Sequence, residues 1–249
     1  MLLGLLAGCA TSSARTTERV AASPARLSEV SYGLSWSWGT AHAERGSGWS
    51  TDTDRGTHVV VERGGLVDRT MALVPCARVH DSEEKGMLGM LDLFGLLHAA
   101  RACDDEDDAS TVDRAVIEPL DGPSEQVLGR ASFAPETYCK VFYRVGRATG
   151  GSHGPKNPGD MLGHTLTLSG TWSVADSAPT PFHLEADMAW GAMAPLPALH
   201  GAGSANLVLE RQLGAIFDGV DFAHDTDAQA ARQVLRNITG SGTLKVASP

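Results

Sequence analysis

Across residues 164–174 the side chains alternate strictly. His164, Leu166, Leu168, Trp172 and Val174 share one parity, and Thr165, Thr167, Ser169, Thr171 and Ser173 share the other. Neighbouring side chains of an extended chain point to opposite faces, so this pattern predicts a strand with one buried and one wet face. Residues 182–190 repeat it, with Phe182, Leu184, Ala186, Met188 and Trp190 against His183, Glu185 and Asp187, after a connection holding Pro179 and Pro181. A hairpin is expected there. Tyr32, Leu34, Trp36 and Trp38 alternate with Ser31, Gly33, Ser35 and Ser37 in the same way.

Shorter runs at His58 to Arg63, Leu66 to Pro75, Val112 to Leu120, Gln126 to Phe133, Tyr138 to Gly146, Ala205 to Glu210 and Thr243 to Val246 are punctuated by Gly, Pro and acidic turns. Many strands without intervening helices predict a mainly β chain, an antiparallel β-sandwich of immunoglobulin-like architecture. Two segments carry helical spacing instead. Thr226-Asp227-Ala228-Gln229 has the form of a capping box, and Ala231, Val234, Leu235 and Ile238 follow it up to Gly240, which predicts one C-terminal helix. Residues 87–97, Met87 to Leu97, are apolar almost all round and read as an apolar helical insertion.

The first nine residues end in Leu6-Ala7-Gly8-Cys9 and are followed by a Ser/Thr/Ala-rich polar segment. An apolar stretch closing on small residues is the back half of a secretory signal. The motif resembles the lipobox of bacterial lipoproteins. That resemblance implies cleavage before Cys9, acylation of its thiol, and, because Ala10 rather than aspartate follows, an outer-membrane lipoprotein facing the periplasm or the cell surface. The expected organisation is a signal remnant at 1–9, a flexible tether at 10–28 with little to bury, and one β-sandwich domain at 29–249.

With Cys9 set aside, Cys76, Cys103 and Cys139 remain, an odd number for a compartment in which disulfides persist. Cys76 closes one strand and Cys139 lies on the face of Val141, Tyr143 and Val145, which favours a Cys76–Cys139 bridge, with Cys76–Cys103 as the rival pairing. In immunoglobulin domains a tyrosine stands two residues before the second cysteine, whereas Tyr138 here precedes Cys139 directly.

The net charge of −10, with no basic run, argues against nucleic acid as a partner. Gly150-Gly151-Ser152-His153-Gly154 matches the G-x-S-x-G pattern, but Pro155 and Pro158 deny it the helix that a nucleophile elbow needs. The acidic runs Asp52-Thr53-Asp54-Arg55-Gly56 and Asp104 to Asp108 lack the glycine and glutamate spacing of an EF-hand loop. His42-Ala43-Glu44 lacks the P-C-x-x-C partner of the zinc deaminases. A copper or zinc site could instead assemble across strands from His42, which continues the parity of Trp36 and Trp38, with His98, His153 and His164. The run Leu207-Val208-Leu209 through Ile216-Phe217-Asp218-Gly219-Val220-Asp221-Phe222 is similar to the C-terminal part of periplasmic copper-handling β proteins paired with a di-haem enzyme. That resemblance implies copper and a haem-protein partner, and transfers no ligand residue.

Two functions are therefore expected from the sequence. The first is a non-enzymatic binding or structural envelope lipoprotein, held to the membrane by its lipid, with no cofactor and with an envelope protein as partner. The alternative is a periplasmic metal-binding protein that uses the four histidines.

Overall fold

The computed structural model describes residues 28–45, 48–76, 108–154, 161–175, 177–200 and 203–247. Among them are twelve strands: β1 (Ser28–Ser37), β2 (His42–Ala43), β3 (Trp49–Asp52), β4 (Thr57–Pro75), β5 (Val112–Pro119), β6 (Glu125–Phe133), β7 (Thr137–Val145), β8 (Leu166–Val174), β9 (Thr180–Ala186), β10 (Trp190–His200), β11 (Ala205–Gln212) and β12 (Thr243–Ala247). One helix, α1 (Asp227–Gly240), precedes β12. The strands form two packed sheets, one of four strands in the order β12-β11-β1-β6 and one of eight strands built around β4.

β4 is the spine of the larger sheet. The sequence suggests two strands here, split at Gly64-Gly65, yet the chain runs straight through as one strand of 19 residues. Its first half pairs with β3 on one side and β8 on the other, and its second half pairs with β5 and β7. The two glycines are needed for close approach rather than for a turn. A Cβ at Gly64 would lie 2.4 Å from Leu168 Cδ2, and one at Gly65 would lie 2.6 Å from Met161 Sδ.

The half of this sheet made by β5, β4, β7 and β10 shares its apolar interior with the four-stranded sheet, and β5 approaches β6 while β10 approaches β12. The other half, β2, β3, β4, β8 and β9, extends beyond. Its inner face is covered by the 3-10 turn at Leu213–Ala215, the residues after it, and α1, which packs on β9 and β10. Phe217 is the wedge, with its ring 6.0 Å from both Trp49 and Phe182. The α1 boundary follows the capping box as expected: the Thr226 side chain accepts from Gln229 N, and Ala231, Val234, Leu235 and Ile238 are buried.

Three sequence expectations need correction. The sheets are not wholly antiparallel, because β1 runs parallel to β11 from Val30/Ala205 to Ser37/Gln212. The expected strand over 182–190 ends at Ala186, and Trp190 opens β10. Pro195 and Pro197 hide β10 in the sequence, but β10 bonds only to β7 and so keeps an edge where a missing N–H costs nothing. The chain also turns after β1, with Gly39 at φ 59°, so His42 does not continue the parity of Trp36 and Trp38. Cys76 and Cys139 form a disulfide, with Cα atoms 5.0 Å apart. It joins neighbouring strands of one sheet next to the Pro75/Tyr138 pair. Residues 1–27, including Cys9, and residues 77–107, including the 87–97 insertion, His98 and Cys103, lie outside the described residues.

Candidate functional site

Among the described residues, the fully buried charges converge between the two sheets. On β11 the inward parity of Ala205, Leu207 and Leu209 is shared by Arg211, a charged residue at a core position. Asp68 takes the equivalent place on β4, Glu118 on β5 and Tyr143 on β7, and the side chains of Arg211, Asp68 and Glu118 are fully buried. Arg211 Nη1 donates to Asp68 Oδ1 at 2.9 Å and to the Tyr143 hydroxyl oxygen at 2.7 Å, and Nη2 donates to Glu118 Oε2. Tyr143 in turn donates to Asp68, and Trp36 Nε1 donates to Glu118 Oε2 at 3.0 Å. The guanidinium lies 4.3 Å over the Trp36 ring. Arg211 and Trp36 come from the small sheet and the carboxylates from the large one, so the network bolts the two layers together.

One cation faces two carboxylates. Burial raises the Glu118 carboxyl well above the ordinary range, the Arg211 charge pulls it back, and the neighbouring Asp68 pushes it up again. Burial works against the Arg211 charge, but Asp68 and Glu118 more than offset it, so the guanidinium holds its proton more firmly than usual. Glu118 therefore keeps a proton at pH values where an unfolded glutamate, near 4.5, has lost it. The stability tied to that proton is complete below pH 4.5 and is lost as pH rises through the raised folded value. Glu118→Gln keeps an acceptor for Arg211 and Trp36 and cannot ionise. Urea unfolding between about pH 5 and about pH 9 is expected to show a flatter pH dependence in this variant than in the wild type. Equal slopes would exclude Glu118 as the proton holder.

Three of the four candidate histidines, His42, His153 and His164, lie among the described residues. His42 on β2 is exposed, and its Nε2 lies 2.9 Å from Ser50 Oγ. Ser50 also donates to Glu44 Oε1 at 2.5 Å. This is a serine, histidine and acid in contact but connected in the wrong order for a nucleophile, because the acid takes the hydroxyl proton and leaves the imidazole to donate. Ser50 is moreover fully buried. His153 forms a backbone bridge to Val116 and exposes its side chain, and His164 precedes β8 with Nδ1 buried and unpaired. Among the described residues no three His, Cys, Asp or Glu side chains are arranged to hold a metal ion. Ser152 is a turn former: its Oγ accepts from Thr149 N at 2.8 Å.

The acidic run at 52–56 is the β3–β4 turn, and it docks on the loop after the 3-10 turn. Asp54 Oδ1 accepts from Gly219 N at 2.8 Å, and Arg55 Nη1 pairs with Asp221 Oδ2 at 2.8 Å. Asp221 is also bonded to His224 Nδ1 at 3.0 Å, which holds its carboxyl below the usual range. Beside this pair a cleft of about 380 Å³ opens, lined by Arg55, Thr57, Trp172, Val174, Asp221 and Ala223. Its floor is firm because Trp172 stacks on Phe222, with centroids 5.8 Å apart and planes at 21°, and Phe222 packs on Phe182 and Phe217.

Comparison with known proteins gave no match to a family model, a curated protein or a solved structure.

Proposed function

We propose that this chain is a non-enzymatic outer-membrane lipoprotein, acylated at Cys9, whose sandwich is carried on the tether at 10–28 and binds another component of the cell envelope. The observation that carries the reading is Leu6-Ala7-Gly8-Cys9 followed by Ala10 and a polar leash. The body supports a binding role over a catalytic one. The charges of Arg211, Asp68 and Glu118 are sealed from solvent, and the open cleft beside Trp172 offers an ion pair and an apolar wall. The finer architectural reading is immunoglobulin-like: where such domains place an inter-sheet disulfide against a tryptophan, this chain has Arg211 stacked on Trp36 between two sheets.

The test is Cys9→Ser in a bacterial host, followed by detergent phase partitioning and intact mass. Wild-type protein is expected in the detergent phase with an added acyl mass, and the variant in the aqueous phase. Wild type and variant partitioning alike would remove the lipid from the proposal.

A further inference from the structure

We propose that the cleft between the β3–β4 turn, the end of β8 and residues 221–223 is a saccharide-binding site, sized for one or two sugar rings. This deepens the binding half of the function proposed above, and rests on it. Its volume of about 380 Å³ lies near the lower end of small-molecule sites. The chemistry of the walls then selects the ligand. Arg55 and Asp221, 2.8 Å apart and about half and one third exposed, present a row of donors beside an acceptor.

A lone anion has to compete with Asp221 for Arg55, close to Asp54 and Asp225, on a chain of net charge −10. A lone cation has to displace Arg55 from Asp221. A wholly apolar ligand would bury the ion pair without replacing its water, which costs more than the wall of Trp172, Val174 and Ala223 returns. A neutral polyol avoids all three penalties. Its neighbouring hydroxyls can accept from Arg55 and donate to Asp221 together, and the C–H face of a sugar ring covers the indole of Trp172. Phe222 stacks on that indole and His224 bonds Asp221, so platform and acceptor are both held in place before a ligand arrives.

The experiment is titration of the whole protein, and of its Cys9→Ser form, with cellobiose, maltose and di-N-acetylchitobiose, and with benzoate and choline as charged probes. Tryptophan fluorescence and calorimetry report binding. At least one saccharide is expected to saturate with Kd of roughly 1 mM or tighter. Trp172→Ala and Arg55→Ala are each expected to weaken it about tenfold with melting curves retained. Should Trp172→Ala fail to fold, the exposed Arg55→Ala carries the test alone. Saccharide binding weaker than roughly 10 mM, binding unaltered in the variants, or saturation by benzoate or choline instead overturns the site. If that happens while Cys9 still directs the chain to the detergent phase, the cleft assignment falls and the anchor stands.

Discussion

Arg211→Met is expected to lower unfolding stability by about 3–5 kcal/mol, the cost of leaving buried charge without its partner. For a chain of this size that is a fall in melting temperature of roughly 6–20 °C. Methionine keeps an unbranched apolar stem and ends short of the guanidinium, so the charge and its stacking on Trp36 are what is lost. What remains is Asp68 and Glu118, both fully inaccessible, facing each other with only the Tyr143 hydroxyl and the Trp36 N–H as donors. One consequence separates this account from simple loss of packing. The deficit should shrink in Arg211→Met combined with Asp68→Asn and Glu118→Gln, where no buried charge is left. A single variant that melts within about 2 °C of the wild type would show that the arginine carries none of the load.

Removing the disulfide is the second large effect. Cys76–Cys139 closes a loop of 63 residues, for which the chain-entropy relation gives about 4 kcal/mol, and native bridges in practice contribute about 2–4 kcal/mol. The bridge sits beside the last backbone pair of β4 with β7, so it adds no alignment that the ladder lacks, and its contribution comes from restricting the unfolded chain. Cys76→Ser with Cys139→Ser should lower the urea midpoint, reductant should lower the wild-type midpoint to the same value, and reductant should leave the variant unmoved. A wild-type midpoint indifferent to reductant would contradict this.

β8 and β9 could be read from alternation alone, because one face lies in the core and the other is partly or fully exposed, and β1 alternates in sequence although Gly33 and Ser35 are buried as well. The rest was hidden for identifiable reasons. β10 contains Pro195 and Pro197, which argue against a strand until its edge position is known. β2 and β3 are two and four residues long, too short for any period to emerge. The parallel pairing of β1 with β11 joins segments some 175 positions apart, as in Val30 with Ala205, and no local pattern encodes it. The buried network was partly visible. Arg211 follows the parity of Leu207 and Leu209, and Asp68 that of Leu66, so a charge standing at an inward position was the available signal. The partner of each charge was not, since Arg211 meets Asp68 across 143 positions. Of the four histidines read as candidate ligands, His98 lies outside the described residues, the turn at Gly39 puts His42 on a strand of its own, and His153 and His164 lie in the connection between β7 and β8.

The placement of β1 has a bearing on how this molecule comes to exist. Its two neighbours are β6, about a hundred residues downstream, and β11, farther along still. β1 thus waits, half satisfied, until the chain has been made as far as β11, and contacts of such range are won slowly. Fragments that stop before Ala205 would carry a bare ribbon beside Val30 to Ser37, ready to pair with a stranger. Such a domain is all or nothing: a version cut before β11 is more apt to aggregate than to fold.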